Sequence, residues 1–193
     1  MTGETKIHRR GVVFGLLGLG GCAALAPPGA HLPGLPRKAG GPYRLGAGDM
    51  LHIRVYDQPQ LSGPFSVNDS GNVDLPLLGS IPAAGLGTGQ LASAIARALQ
   101  DSHLILKPSV AVEVVNYRPF YILGEVSRPG QYSFRPDMTV LTAVSIAGGF
   151  TDRAVESYVG VTRDNGSTPA EYRAPLFALA QPGDVITVFE RRF

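Results

Sequence analysis

The stretch Leu45-Gly46-Ala47-Gly48-Asp49-Met50-Leu51-His52-Ile53-Arg54-Val55 returns in shorter form as Gln181-Pro182-Gly183-Asp184-Val185-Ile186-Thr187-Val188. Each copy is a Gly-Asp turn that feeds a short β-run. In the first, Leu51, Ile53 and Val55 alternate with His52, Arg54 and Tyr56, the period of a half-buried strand. An aspartate placed just after the glycine of a turn accepts backbone N–H groups of that turn. Asp49 and Asp184 therefore read as structural carboxylates, with Gly46, Gly48 and Gly183 as turn residues.

Working outward, residues 43–116 predict one α+β unit. Phe65 and Val67 open a second β-run, Asn68-Asp69-Ser70-Gly71-Asn72 turns the chain, and Val73 to Leu78 reads as a further run ending at Gly79. Leu91, Ala94, Ile95, Ala98 and Leu99 fall at helical spacing, with Thr88 as the expected N-cap. Lys107-Pro108 stops that pattern, and Val110, Val112 and Val114 alternate as a strand. Residues 117–193 predict a second unit: a strand over Phe120 to Val126, a turn at Arg128-Pro129-Gly130, and a return over Gln131 to Phe134. A helix capped by Thr139 carries Val140, Leu141, Val144 and Ala147 and stops at Gly148-Gly149. Tyr158 to Arg163 and Asp184 to Phe189 supply later strands. Gly130 and Gly149 sit where positive φ is expected, and Gly124 inside a strand admits a second backbone.

Taken in order, the Gly-Asp turns, Asp74-Leu75-Pro76-Leu77-Leu78-Gly79, Gly124-Glu125-Val126-Ser127-Arg128-Pro129-Gly130 and Ala147-Gly148-Gly149-Phe150 resemble the outer-membrane polysaccharide export family. That family joins an export domain to a soluble-ligand-binding β-grasp (SLBB) domain, and the likeness covers about Tyr43 to Phe193. It implies an α+β chain in which a small domain of strands with one helix precedes a β-grasp domain. It also implies a subunit of an oligomeric ring with polysaccharide cargo, without catalysis or cofactor, working beneath the outer membrane with an inner-membrane polysaccharide co-polymerase. Well-known members end in an amphipathic helix that crosses the outer membrane. Only Glu190 to Phe193 follow the last β-run here, too few to span a ~30 Å hydrocarbon core, so a separate outer-membrane β-barrel is the expected partner.

The N-terminus predicts location. Lys6, His8, Arg9 and Arg10 precede an apolar stretch from Gly11 to Gly20, roughly ten residues, the size of a signal-peptide core rather than a membrane span. Leu19-Gly20-Gly21-Cys22 then matches a lipobox. Residues 1–21 read as a lipoprotein signal and Cys22, the single cysteine, as the acylated residue, palmitate being among its chains. Ala23 follows where a retention aspartate would sit, which predicts sorting to the periplasmic face of the outer membrane. Residues 22–42, with Pro27, Pro28, Pro33, Pro36 and Pro42, read as a tether that reaches up to roughly 60 Å at about 3.1 Å per residue.

Composition excludes other classes. Basic and acidic residues number 17 and 15, and loss of Lys6, Arg9, Arg10 and Glu4 with the signal leaves 14 and 14. The basic pI belongs to the targeting segment, so nothing points to nucleic acid. No His-x-x-x-His or Cys-x-x-Cys pair suggests zinc, and Gly-x-Ser-x-Gly is absent. Gly46-Ala47-Gly48 precedes a strand, whereas a phosphate cradle needs a following helix. Asp69 and Asp74 have the makings of a glycosidase pair, but Asp74 belongs to the Leu-Pro-Leu-Leu-Gly segment.

Two readings of function follow. One is the ring subunit, the other a monomeric periplasmic module that binds glycan through its second domain. Tyr117, Tyr121 and Tyr132 suit sugar stacking in either case. For the ring, Arg128 on its turn and Phe150 after the helix are the candidate subunit interface.

Overall fold

A computed structural model describes residues 26–36, 43–164 and 168–191. The chain is α+β, with its buried side chains divided between two cores. The first unit contains β1 (Met50–Val55), β2 (Gly63–Ser66), β3 (Asn72–Leu75), β4 (Gly79–Pro82), α1 (Thr88–Asp101) and β5 (Val110–Asn116). β1 lies between β2 and β5, antiparallel to both, and β3 pairs with β4 as a hairpin. The alternation in β1 sends Leu51, Ile53 and Val55 inward, where they meet Leu91, Ile95 and Leu99 of α1. Those helical residues recur every four positions and so share one face.

Two local details differ from the sequence expectation. Thr88 is the first helical residue rather than the cap. Gly87 caps the helix in extended conformation, and its N–H is accepted by Gln90 Oε1 at 2.9 Å, the backward half of a capping box. Nor is Val73 to Leu78 one run. β3 ends at Leu75, and the reversal places Leu77 at a φ of 66° with its side chain 73% exposed. Pro76 has no N–H to continue the ladder.

The second unit contains β6 (Phe120–Gly124), β7 (Gly130–Tyr132), α2 (Val140–Ile146), β8 (Tyr158–Arg163), β9 (Ala170–Pro175) and β10 (Val185–Val188). Its sheet runs β7-β6-β10-β8-β9, with β10 parallel to β6 and antiparallel to β8. α2 buries Val140, Ala143 and Val144 against one face, the helix-over-sheet arrangement of a β-grasp. Thr139 Oγ1 accepts the Thr142 N–H at 3.1 Å and caps α2. Gly124, at φ 85°, ends β6 where a Cβ would lie 2.1 Å from the Val188 carbonyl oxygen. Only glycine admits the hydrogen bond from Glu125 N to that oxygen, at 3.0 Å. β9 is a strand that the sequence did not announce, because only Ala174 in it is buried.

The proline-rich leader is not wholly a tether. Residues 26–36 lie along the second unit as a strap. Leu35 N donates to Arg173 O and Arg173 N to Pro33 O, both at 2.8 Å, so Gly34 forms a parallel bridge to the outer edge of β9. Tyr158 Oη donates to Pro28 O at 2.8 Å, Leu35 packs on the core, and a Cβ on Gly29 would lie 2.7 Å from the Phe189 ring. An edge strand presents unpaired backbone groups, and the short segment Pro33-Gly34-Leu35, which leaves the turns at 28–32, meets them. Among the described residues, no helix is long and apolar enough to cross a membrane.

The inter-domain joint as candidate functional site

The first Gly-Asp turn opens β1 and the second opens β10, and the two come together where the chain crosses between the units at Tyr117-Arg118-Pro119. Asp49 is fully buried. Its Oδ2 accepts Gly46 N at 2.8 Å and its Oδ1 accepts Arg118 N at 3.0 Å, while Tyr43 Oη lies 2.8 and 2.6 Å from the two oxygens. Three separate segments thus meet on one carboxylate. The Arg118 side chain continues to the second turn: Nη1 stands 3.9 Å from Asp49 Oδ2, and Nε donates to Pro182 O at 3.2 Å. Gly183 N donates to Pro119 O at 2.9 Å, and Tyr121 N to Asp184 O at 2.9 Å.

The glycines make room for this pin. A Cβ on Gly46 would lie 1.6 Å from Arg118 Nη1, and one on Gly183 would lie 3.1 Å from Nε. Gly183 also needs its freedom for a φ of 85°. Tyr43 stacks edge-on against Tyr117 at 4.9 Å, and Tyr117 against Phe134 at 5.6 Å. Burial pushes the Tyr43 phenol well above its ordinary range. Its hydrogen bond to the Asp49 carboxylate and that carboxylate's charge push the same way, against a smaller opposite pull from Arg118. Tyr43 is therefore held as a donor.

Asp184 is held differently. Its Oδ2 accepts Gln181 N at 2.7 Å, and Arg163 grips it with two bonds, Nε to Oδ1 at 2.8 Å and Nη2 to Oδ2 at 2.6 Å. Both partners are buried, and Nη2 also donates to Leu179 O at 3.1 Å. Bidentate charge-assisted pairs of this kind fix orientation as well as adding energy. Every oxygen of the two carboxylates is engaged by N–H or O–H donors, and the Arg118 segment links the two turns.

The other residues singled out from sequence are dispersed. Gly79 closes the β3–β4 reversal. Gly148 and Gly149 end α2 at φ 90° and 87°, and Ser127 N donates to Gly149 O at 3.1 Å. Pro129 and Gly130 lead into β7. Arg128 is exposed and donates through Nη2 to Ile146 O at 3.2 Å. Phe150 is half-buried against its own core and bridges Val126. Cys22 lies outside the described residues. Asp74 accepts from Asn68 Nδ2 at 3.0 Å and from Ser80 Oγ, and these bonds hold its carboxyl below the usual range, against the role of a glycosidase acid. Of the three tyrosines, Tyr117 is spent in the ring ladder. Tyr132 stacks 5.9 Å from Phe120 with its hydroxyl on Arg128 O. Tyr121 alone of the three is exposed, at 40%. Among the described residues no group of His, Cys, Asp or Glu is arranged to hold a metal. Arg118 and Arg163 were missed by sequence reasoning: their aspartates lie 69 and 21 residues away, and no local pattern marks such a partner.

Comparison with known proteins agrees with this layout. The family described as polysaccharide biosynthesis/export protein matches residues 37–115, and the SLBB domain matches residues 119–169. The chain is 36% identical over 165 residues to the exopolysaccharide production protein ExoF of Rhizobium meliloti, covering 77% of this chain and 38% of that protein. It is 30% identical over 184 residues to the EPS I polysaccharide export outer membrane protein EpsA of Ralstonia solanacearum, covering 78% and 48%. The Vi polysaccharide export protein VexA/TviF of Salmonella typhi is 32% identical over 168 residues, covering 75% and 46%. The chain thus spans less than half the length of these relatives. It carries, in order, a segment that matches the polysaccharide biosynthesis/export family and one that matches the SLBB domain, and the relatives it resembles are named for exopolysaccharide production or polysaccharide export.

Proposed function

We propose that this chain is a periplasmic subunit, anchored through an acylated Cys22, of an oligomeric ring that passes a capsular or exopolysaccharide to the outer membrane. Residues 43–116 act as its export domain and 117–193 as its SLBB domain. An inner-membrane polysaccharide co-polymerase works below it and a separate outer-membrane barrel above. The observation that carries this reading is the joint, where Arg118 pins two domains that match an export family in the family's own order. A ring built by head-to-tail contact closes only when each subunit repeats the same rotation, and a pinned joint holds that rotation constant. The polar turn at Arg128 supplies a surface for the contact.

Deleting the gene and assaying cell-surface and released polysaccharide tests the reading. Loss of secretion is expected, and unchanged secretion overturns it. The mass of the detergent-extracted protein distinguishes a large discrete oligomer from a monomeric glycan-binding module. Arg128→Glu is expected to shift that mass toward monomer with native circular dichroism. Anchoring has its own test: Cys22→Ser should leave the membrane fraction, since two or more acyl chains bind a bilayer firmly and one only marginally.

A further inference from the structure

We infer that Phe177 is the knob, and the cleft beside the strap the socket, of a head-to-tail contact between two copies of this chain. The inference deepens the ring reading proposed above and rests on it. The knob sits on the segment that leaves β9 and runs along the start of α2. Its backbone is tied down: Ala178 N donates to Pro175 O, Leu141 N to Leu176 O and Val140 N to Ala178 O, all at 2.9 Å. Leu176 and Ala178 pack against the second core. The alternate residues face outward, so Phe177 is 81% exposed and Leu179 54%. Among the described residues the Phe177 ring joins neither core, whereas Phe150 is spent against its own. A large apolar side chain held in water on a fixed backbone has area ready to bury and little conformational freedom left to lose. The segment from Pro175 to Ala180 bears no polar side chain. The hydroxyls of a sugar or the charge of an anion would find no partner there, so the fitting occupant is an apolar hollow on a protein.

Such a hollow lies on the same domain. An open cleft of about 600 Å³ is lined by Pro27, Pro28, Val155, Glu156, Tyr158 and Arg191. Its walls are chiefly apolar, and the strap supplies one of them, fixed where Tyr158 Oη donates to Pro28 O at 2.8 Å. On the rim, Arg191 donates to Ala154 O at 3.1 Å and stands 3.8 Å from Glu156, with its side chain half-exposed. A guanidinium attracts the face of an aromatic ring, which favours an aromatic knob over an aliphatic one. Aromatic residues and arginine also dominate the energetic centres of interfaces. Knob and socket share no residue. A knob that enters a socket elsewhere on the next copy makes a heterologous contact, the kind that closes into a ring.

The sequence has one cysteine, which acylation occupies in the reading above, so introduced thiols report alone. A Phe177→Cys, Ser157→Cys double variant, oxidised in membranes and run without reductant, should give a ladder at multiples of the chain mass. Each single variant should remain one chain, and the two co-expressed should give a dimer. No ladder, or one as strong when Leu106→Cys replaces Phe177→Cys, overturns the proposal; Leu106 is 83% exposed on the export domain. Phe177→Asp should shift the detergent-extracted protein to monomer with native circular dichroism, since that side chain already lies in water, and Phe177→Tyr should keep the ring. A Phe177→Asp protein of wild-type oligomeric mass also overturns it. Mass separates the two readings: if wild type itself extracts as monomer, the ring falls and this contact with it. If wild type is a ring and neither test responds at position 177, the contact alone is wrong.

Discussion

The two Gly-Asp turns share their letters and differ in what grips them. Asp184 is tied by a buried arginine of its own domain, whereas Asp49 takes its hydrogen bonds from neutral donors of its own turn, of Tyr43 ahead of it and of the crossing segment, with the half-exposed Arg118 guanidinium at the longer distance of 3.9 Å. One carboxylate finishes a domain and the other joins two. Repetition in sequence marks a repeated local conformation, and the long-range partner decides the role.

The largest effect expected from this difference is at Asp184. Asp184→Ala leaves the Arg163 guanidinium buried without its counter-charge, and removing one member of such a pair costs about 3–5 kcal/mol. Urea denaturation measures it, and the Asp184→Leu, Arg163→Met double variant should regain most of the loss. Asp49→Ala should cost less, about 2–3 kcal/mol for stranded donors, because Arg118 reaches solvent. It should also speed proteolysis around residues 116–119 while both cores stay folded, which Asp184→Ala should not do. A larger loss at Asp49 than at Asp184, or identical cleavage patterns, would break the comparison.

Gly183→Ala sharpens it further. The left-handed conformation costs a side chain about 1–2 kcal/mol, and the new methyl would press on Arg118 Nε, so joint and turn should loosen together. Smallest is Tyr43→Phe, about 1.5 kcal/mol for a hydrogen bond to a charged acceptor. Its pH dependence has a definite sign. An ordinary tyrosine ionises near pH 10, and Tyr43 is pushed higher. Its contribution is therefore complete below about pH 10 and is lost as pH climbs toward the raised value. Tyr43→Phe should flatten that alkaline decline in thermal melts.

What sequence could show was local. Turn glycines, the alternation in β1, the four-residue spacing in α1 and the Thr139 cap are all written within a few positions of one another. The pairing of Arg163 with Asp184 and the threading of Arg118 are tertiary, and their residues look like ordinary surface arginines. β9 escaped because Ala170-Glu171-Tyr172-Arg173-Ala174-Pro175 has almost no apolar alternation; as an outer strand it buries one methyl. Leu77 misled in the opposite direction, an apolar letter spent on an exposed reversal. The strap was read as spacer because its prolines carry no periodicity, yet an extended chain needs none to bridge an edge.

The central place of β10 has a consequence for biogenesis. Strands β6 and β8 touch each other only through Val185–Val188, so the sheet cannot zip until that late segment has been delivered. The docking of Pro182 and Gly183 onto Arg118 and Pro119 must wait as well. Non-local pairing of this kind is slow to form. A chain delivered from its N-terminus therefore keeps the β6–β7 and β8–β9 pairs apart until Val185–Val188 arrives to join them.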